Sequence, residues 1–413
     1  MRLDHLHIQN FRCYEDAHFD FQPGFNLVVG VNGSGKTSLL NAVARCFAGL
    51  GEEFSSLAQS VPEQDIRFVI KNVNGRITSE HCFPTKITAE GEAFGLSEWH
   101  VQINGLNDTS LPNSSNLTVL AANDAPVLAY YRANRRWNGV GVTAEFAAQY
   151  RVFRLTGYLN WADAVVDLKD FEGWLIGRTL LRLQYLLDAK TAVKSLDDEL
   201  SIINDAIRVA LPQAGNLRYD LRLQQLLVDV DEGKTIPFND LSDGQRGLIA
   251  LIADIARRMC ILNPHMGKDV LKNTSGVVII DELDIHLHPA WQRTIVHALK
   301  SAFPKVQFIA ASHSPQIIGS LRPEEIIVLD NGDSSHPRAS YGLDSSRVLE
   351  EVMGAPQREP KVESLLSELF SALESNNLEE AKTRLSSLKA EAPDLPEFAR
   401  AEALLKRKEV LGK

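Results

Sequence analysis

Hydrophobic positions along the chain form short apolar runs separated by longer stretches with helical spacing. Residues 2–9 alternate between apolar and polar side chains, which predicts an edge strand, and a second short strand is expected near Ala17–Phe21. Longer apolar runs predict strands buried in an open α/β sheet. These runs are Phe25–Val29, Pro126–Arg132, Gly276–Ile280 and Val306–Ala311.

The segments between these runs differ in character. Residues 66–120 combine strand-like runs with the turn pairs Asn74-Gly75, Asn104-Gly105 and Asn107-Asp108, which predicts an antiparallel β-subdomain. Residues 143–210 have leucine and isoleucine at three- and four-residue steps and are expected to be helical, without a long coiled coil. Residues 216–240 return to β character. The tail from Val362 onward predicts paired helices, with breaks at 376–377 and 393–396.

Composition is that of a soluble globular protein. The chain has 413 residues, 44% hydrophobic and 23% charged, and its four cysteines have no paired spacing. Scattered cysteines favour a reduced, cytoplasmic setting, and no apolar run is long enough to span a bilayer. The net charge of −10 means that a nucleic-acid partner would need a local basic patch.

The strongest chemical motif is Gly30–Thr37, which has the pattern G-x-x-x-x-G-K-[ST] between a strand and a helix. Its glycines let backbone N–H groups converge on a phosphate, and the helix N-terminus adds positive potential. We expect Lys36 to reach the β- and γ-phosphates and the Thr37 hydroxyl to bind Mg²⁺.

Polar side chains follow two of the buried strands. Asp281 and Glu282 come directly after Gly276–Ile280, and ligands bind at this edge of an open α/β sheet. Asp281 is expected to hold Mg²⁺ through water, opposite Thr37, and Glu282 to polarise the attacking water. His313 follows Val306–Ala311 and would sit beside the γ-phosphate.

A second helix N-terminus occurs at Leu241–Gly247, where Ser242 or Asp243 is a good N-cap. Such an end, with Ser and Gly, is a second phosphate site. One γ-phosphate cannot easily use both helices of one core, so a dimer in which each helix faces the other subunit's ATP is expected. Asp243 would repel a triphosphate and is expected to face away.

Together these motifs resemble the ABC-type ATPases. Gly30–Thr37 resembles Walker A, Leu241–Gln245 the LSGGQ signature with Asp243 in place of its first glycine, and Asp281-Glu282 Walker B. Leu283-Asp284 resembles the D-loop, His313 the switch histidine, and Asn10–Arg12 the start of the RecF/SMC branch. The segments around Leu128–Arg132 and Asp281–Pro289 are similar to stand-alone bacterial ATPases of the AAA_21 kind, which include the PtuA subunit of Septu and retron-associated anti-phage ATPases.

The resemblance implies an α/β P-loop ABC-type ATPase head: a mixed central sheet with flanking helices, an antiparallel β-subdomain, a helical insertion and a helical C-terminal tail. The corresponding parts would be 1–135, with Walker A and the β-subdomain; 136–215, the insertion; 216–345, with signature, Walker B and switch histidine; and 346–413, for partner or oligomer contacts. The expected nucleotide ligands are Gly30, Asn32, Gly33, Ser34, Gly35, Lys36, Thr37, Ser38 and Arg12, with Ser242, Gly244 and Gln245 from the other subunit. Glu282, His313 and Lys36 would be catalytic, and Thr37 and Asp281 would hold the metal.

The function implied is an ATPase that forms a homodimer or higher homo-oligomer around ATP and Mg²⁺ and regulates a nucleic-acid effector. The effector would be a separate HNH nuclease similar to PtuB, since no nuclease signature appears in this chain, which is not expected to cut DNA itself. Direct DNA binding in a RecF-like repair ATPase is an alternative. A transporter's nucleotide-binding subunit is a weaker one, and no membrane contact is expected.

Three further features of the sequence bear on partners and on the nucleotide site. The basic and aromatic residues between Tyr130 and Trp137 would suit a nucleic-acid strand, but core tyrosines with arginines serving the nucleotide or an interface are favoured. His286 and His288 have a spacing that suggests a metal, although shaping a subunit interface is favoured. No glutamine is evident for the Q-loop.

Overall fold

The computed structural model describes residues 1–48, 50, 62–73, 76–106, 124–134, 142, 152–164, 168–188, 198–230, 233–330, 332–356 and 358–411. The chain forms two compact units, Met1–Asp344 and Ser345–Lys413. The division of the first unit into two ATPase lobes and an insertion stays a prediction.

The central element of the first unit is a six-stranded mixed sheet with the order β15-β14-β3-β13-β12-β8. Neighbours from β14 to β8 pair in parallel, and β15 is antiparallel to β14. These strands are β3 (Phe25–Gly30), β8 (Val127–Tyr131), β12 (Gly276–Ile280), β13 (Val306–Ala311), β14 (Ile326–Asp330) and β15 (Asp333–Ser335). Every residue of β3, β8, β12 and β13 is buried, as the apolar runs predicted for strands covered on both faces.

A four-stranded antiparallel sheet with the order β2-β1-β6-β7 lies beside it. Its strands are β1 (Arg2–Phe11), β2 (Tyr14–Asp20), β6 (Thr85–Ala93) and β7 (Leu96–Ile103), and β4 (Phe68–Val73) pairs with β5 (Arg76–His81) in a separate hairpin. The antiparallel β-subdomain is thereby confirmed through residue 103. The edge position predicted for residues 2–9 is wrong, because β1 pairs with β2 on one side and β6 on the other. The expected turns at 74–75 and 107–108 lie outside the described residues.

Helix α1 (Lys36–Ala48) packs between the two sheets. Its residues are buried on nearly all faces, and the indole N–H of Trp99 on β7 donates to the Cys46 carbonyl oxygen at 3.1 Å. The helix that follows the phosphate loop is therefore held on both sides, which fixes the loop.

The remaining helices of the first unit flank the central sheet and a three-stranded sheet. The sheet has the order β11-β10-β9, formed by β9 (Ala214–Asp220), β10 (Gln225–Val230) and β11 (Lys234–Pro237). The helices are α2 (Leu168–Asp188), α3 (Glu199–Ala210), α4 (Asp243–Leu262), α5 (Val270–Asn273), α6 (Pro289–Gln292), α7 (Ile295–Ala302) and α8 (Pro315–Ile318). Short 3₁₀ turns occupy Glu63–Asp65, Arg154–Tyr158, Trp161–Asp163, Phe238–Asp240, Pro264–Asp269 and Pro323–Glu325. The predicted helical and β segments are confirmed where the structure describes them.

The second unit is helical, as predicted. It contains α9 (Ser345–Glu351), α10 (Pro360–Glu374), α11 (Leu378–Glu391) and α12 (Glu397–Leu411). Leucines of α10 and α11, together with Phe398 and Ala401 of α12, form its hydrophobic core. The helix breaks fall at the expected 376–377 and 393–396.

Within the described ranges, no helix combines the length and the apolar character that crossing a membrane requires.

Candidate nucleotide-binding site

The parallel strands bring their carboxyl ends to one edge of the central sheet. Ala311 pairs with Val28, Ile280 with Ala310, and Ile280 with Tyr131 on the other side. The phosphate loop after β3 therefore lies beside the segments that follow β12 and β13. An open cavity of about 380 Å³ forms there, within the range of small-molecule sites. It is lined by Cys13, Asn32, Gly33, Gly35, Lys36, Thr37, Ser38, Asp281, Glu282, Ala311, Ser312 and His313.

The phosphate loop requires glycine at its turns. Gly33 and Gly35 have φ angles of +83° and +104°, which residues other than glycine rarely adopt. A Cβ at Gly35 would also lie 2.6 Å from the Tyr14 hydroxyl oxygen. That hydroxyl donates a hydrogen bond to the Gly35 carbonyl oxygen at 3.1 Å, so the turn between β1 and β2 supports the loop.

Two further residues of the phosphate loop, Gly30 and Ser34, affect its conformation. A Cβ at Gly30 would lie 2.5 Å from Ser34 Oγ, so the Ser34 side chain occupies the space that Gly30 leaves. Ser34 Oγ is buried and has no hydrogen-bond partner among the described residues. Neither residue lines the cavity, and both act on the loop conformation.

Lys36 folds its ammonium group against the loop. Its Nζ donates to the carbonyl oxygens of Gly30 and Val31, each at 3.0 Å. Burial lowers the pKa of Lys36, and the carboxylates of Asp281 and Glu282 counteract that shift. This side chain places an ammonium group in the wall of the cavity.

Thr37 and Asp281 bring two oxygen ligands together. Thr37 Oγ1 donates to Asp281 Oδ2 at 3.0 Å, across 244 residues of chain. Two neighbouring ligands of an octahedral Mg²⁺ ion, with bonds of about 2.1 Å, lie about 3.0 Å apart. The two residues therefore fit a Mg²⁺ ion that one hydroxyl and one carboxylate hold from the protein side.

Glu282 leaves the end of β12 in an unusual backbone conformation, with φ of +48°. The next residue, Leu283, donates its N–H to the Ala311 carbonyl oxygen at 2.8 Å, which fixes the turn against β13. A positive φ outside glycine costs free energy and is retained where surrounding contacts impose it. The turn places Glu282 in the cavity wall beside Asp281 and His313.

His313 is held through its main chain. Its N–H donates to Asp284 Oδ1 at 3.3 Å, and the same oxygen accepts from Ser312 Oγ at 2.6 Å. Burial lowers the pKa of His313 and nearby Lys36 lowers it further, against the opposing effect of Asp284 and the other acids. The imidazole is therefore neutral at physiological pH, with one nitrogen able to accept and the other to donate.

A hydrogen-bonded chain connects this histidine segment to residues 284–287. Ser314 Oγ donates to Gln292 Oε1 at 2.7 Å, and Gln292 Nε2 donates to the Leu287 carbonyl oxygen at 2.9 Å. Together with the bonds of Asp284, two separate links tie the loop after β12 to the loop after β13. A displacement at His313 would therefore be transmitted to residues 284–287.

The predicted signature segment lies on the other side of those residues. Ser242 caps α4 and forms a capping box with Gln245, whose N–H lies 3.3 Å from Ser242 Oγ. Gly244 packs so closely that a Cβ there would overlap the carbonyl oxygen of His286. Asp243 is exposed and forms an ion pair with Arg246, whose positive charge offsets that of the carboxylate. None of these residues lines the cavity of this chain.

Helix α4 also bonds to β8, the strand next to β12, through a buried ionic cluster. Asp254 accepts from the guanidinium groups of Arg257 and Arg258, at 2.6 and 2.8 Å, and from Tyr131 Oη at 2.9 Å. The carbonyl oxygen of Tyr131 in turn accepts from the Asp281 N–H at 2.8 Å. Burial alone would raise the pKa of Asp254, but Arg258 and Arg257 hold it well below its usual range.

Arg12, predicted as a nucleotide ligand, has another partner in the structure. Its Nε donates to Asp65 Oδ1 at 2.7 Å, and Arg45 bonds to the other oxygen of the same buried carboxylate at 2.9 Å. The neighbouring Cys13, not Arg12, lines the cavity. The distance of 53 residues between Arg12 and Asp65 in the sequence hid this pair from sequence reasoning.

The basic and aromatic stretch is only partly described. Tyr130 and Tyr131 are fully buried, so their rings are core and cannot stack on bases. Arg132 lies over the Tyr130 ring at 5.0 Å and bonds to the Ala162 carbonyl oxygen. Arg135, Arg136 and Trp137 lie outside the described residues.

Other polar side chains have structural partners. His288 accepts a hydrogen bond from the Ala290 N–H and caps α6. Arg178 pairs with Glu199, and Arg182 pairs with Asp198. Sequence reasoning missed Gln292, Ser314 and the Asp254 cluster. The i, i+3, i+4 spacing of Asp254, Arg257 and Arg258 was a local signal for the last of these.

The central sheet, the phosphate loop and the acids at the strand ends define a P-loop ATPase of the AAA/ABC type. Residues 25–319 match the AAA_21 family, described as "AAA domain, putative AbiEii toxin, Type IV TA system". The match covers well over half of the chain, and the chain belongs to that family.

Curated relatives agree with this assignment. The retron Vc95 probable ATPase of Vibrio cholerae serotype O1 biovar El Tor is 25% identical, over 85% of this chain and 79% of the relative. The retron Ec83 probable ATPase of Escherichia coli is 27% identical, over 87% and 78%. The Septu protein PtuA of Bacillus thuringiensis is 24% identical, over 91% and 90%. The resemblance inferred from the motifs is therefore confirmed.

Proposed function

We propose that this chain binds ATP with Mg²⁺ in the cavity at the end of the central sheet and hydrolyses it to ADP and phosphate. The observation that carries the proposal is the Thr37–Asp281 oxygen pair at 3.0 Å beside the Lys36 ammonium group. These groups match the needs of phosphoryl transfer, in which positioning and charge neutralisation supply most of the catalysis. A matched pair of variants, Lys36→Ala and Lys71→Ala, tests it: only the first should lose ATP binding.

Each residue has a distinct task in this mechanism. The loop N–H groups and Lys36 bind the phosphates, and Thr37 and Asp281 hold Mg²⁺, which would neutralise charge on the β- and γ-phosphates. Glu282 accepts a proton from the attacking water, and His313 donates a hydrogen bond to the γ-phosphate. The lowered pKa of His313 supports this role, because a neutral imidazole offers a donor without adding a second cation beside Lys36.

We propose that the active site is completed by a second copy of the chain. Ser242, Gly244 and Gln245 form the N-terminus of α4, the positive end of the helix dipole, but they lie outside the cavity of their own chain. In a homodimer or a higher homo-oligomer, the N-terminus of α4 in one chain would face the ATP that is bound in the cavity of another chain. Arg12, engaged with Asp65, supports the loop in this proposal and does not bind the nucleotide directly.

The effector is proposed to be a nucleic-acid enzyme encoded separately. Retron and Septu relatives support a role in anti-phage defence, with ATP-driven closure regulating an HNH-type nuclease similar to PtuB in the cytoplasm. Co-expression with each adjacent gene, followed by purification through a tag on this chain, tests the partnership. Recovery of a nuclease at fixed stoichiometry would support it. DNA cleavage by the pure chain, unaffected by Lys36→Ala, would overturn it.

A RecF-like ATPase that binds DNA directly is the second candidate, favoured by the Asn10–Arg12 start and by Arg132. Its signature would be DNA binding by the isolated chain that weakens steeply with salt and is lost in Arg132→Ala. Binding that depends on the co-purified partner would favour the defence assignment.

A further inference from the structure

Two histidines and an aspartate, residue types that can ligate a metal, lie together on the hairpin formed by β1 and β2, outside the nucleotide cavity. The antiparallel register places His7 directly opposite His18. Their imidazole rings stack with centroids 3.9 Å apart and planes 14° apart. Asp16 lies beside both rings, with its Oδ1 atom 2.8 Å from His7 Nε2 and 3.6 Å from His18 Nε2.

The three donor atoms have the spacing of a coordination triangle. All lie within 4.8 Å of one another. In a tetrahedral site with bonds of about 2.0–2.1 Å, neighbouring donors are about 3.3 Å apart, and the two distances to Asp16 bracket that value. Rotation of both imidazoles out of their stacked arrangement is required to bring all three donors to one ion, because the nitrogen lone pairs of parallel rings do not converge.

We propose that His7, His18 and Asp16 bind a divalent transition-metal ion of the zinc class. Two imidazoles and one carboxylate are the donors such an ion takes, whereas Mg²⁺ prefers six oxygens. His18 and Asp16 are largely exposed, with side chains 73% and 55% accessible, so an ion enters directly from solvent and water completes its coordination.

The proposed metal site lies on the two strands whose connecting turn supports the phosphate loop. An ion there would crosslink β1 and β2 on both sides of the turn at Arg12 and Cys13. The same turn delivers Cys13 to the nucleotide cavity and Tyr14 to the Gly35 carbonyl oxygen. Metal binding would therefore stiffen the element that supports the phosphate loop.

The test is calorimetric titration of Zn²⁺ into the metal-free, full-length chain, without nucleotide and with excess Mg²⁺ to occupy the hard-oxygen sites. We expect one Zn²⁺ equivalent that is weakened at least about tenfold in His18→Gln and in Asp16→Asn. The matched control is His5→Gln on the same strand. His5 pairs with Asp20 at 2.6 Å and belongs to no part of the triangle, so Zn²⁺ binding should be unchanged.

A second measurement identifies the geometry. Co²⁺ bound in place of Zn²⁺ should show the intense visible absorption of a four-coordinate ion in wild type and in His5→Gln, but not in His18→Gln. Equal Zn²⁺ affinity in wild type and His18→Gln would overturn the proposal, as would loss of binding in His5→Gln. Because no nucleotide is present, neither outcome bears on the ATPase proposal.

Discussion

Gly244 lies directly against the carbonyl oxygen of His286, so closely that no side chain fits between them. The contact joins the start of helix α4 to the loop that follows the Walker B strand. The other end of that loop is tied to His313 through Asp284. The nucleotide cavity of one chain and the surface it is proposed to offer a second chain are thus connected through a few rigid contacts.

Gly244→Ala should interrupt that connection. The added methyl must displace the loop at His286, which moves the N-terminus of α4. We expect ATP binding within about twofold of wild type but loss of ATP-dependent assembly, and hydrolysis lowered by about 100-fold. Binding of a fluorescent ATP analogue, light scattering with and without ATP, and steady-state hydrolysis measure the three effects.

Gly105→Ala is the matched control for this substitution, because a Cβ at Gly105 has no atom within 4 Å and Gly105 does not line the cavity. It should behave as wild type. If Gly244→Ala still hydrolyses ATP at the wild-type rate, the signature segment does not take part.

Gln292→Met should separate catalysis from binding. The thioether preserves the side-chain volume but removes the hydrogen bonds to Ser314 and to the Leu287 carbonyl oxygen. We expect kcat to fall by about tenfold, because His313 would no longer be held in position relative to Asp281 and Glu282. KM for ATP should stay within about twofold. The neighbouring surface substitution His297→Ala should change neither constant. A change in KM alone would contradict the positioning role.

The pKa of His313 should be measurably below its usual value of about 6.5. Since the unfolded chain binds this proton more tightly, His313 contributes stability above about pH 6.5 that is lost as the pH falls through its folded-state pKa. Nuclear magnetic resonance titration of histidine-labelled protein, with His313→Asn to assign the signal, measures the shift. A folded-state pKa above 6.5 without nucleotide would contradict the account.

Asp254→Asn should strongly destabilise the first unit. It leaves Arg257 and Arg258 buried without their counter-charge, which costs about 3–5 kcal/mol. In wild type the lowered pKa of Asp254 means that its stabilisation is complete above about pH 4 and is lost only as the pH falls through the lower folded-state value. Urea unfolding followed by tryptophan fluorescence gives the free energy of unfolding.

The exposed pair of Asp205 and Arg208, with the same three-residue spacing, provides the control for that measurement. Asp205→Asn should cost less than about 1 kcal/mol, because surface ion pairs contribute little. Equal effects of the two substitutions would mean that burial of the Asp254 cluster is not what stabilises it.

The sequence predicted well wherever the signal was local. Buried runs followed by Asp281, Glu282 and His313 placed these residues at one sheet edge, because parallel strands end together. The sequence did not reveal which distant groups meet. Arg12 meets Asp65, β1 meets β6 and is not an edge, and Gly244 meets His286. Such pairs depend on tertiary packing, and the hydrophobic periodicity of the sequence does not predict them.

ATP is proposed to be held between two copies of the chain. The most direct test is the molar mass of Glu282→Gln, measured by light scattering with and without ATP and Mg²⁺. Removing the general base should slow hydrolysis by about 10²–10⁴-fold and trap the closed state, so the mass should double on adding ATP. The doubling should be absent in the Glu282→Gln, Lys36→Ala double variant. A Glu282→Gln chain that binds ATP stoichiometrically without any change in mass would contradict the claim.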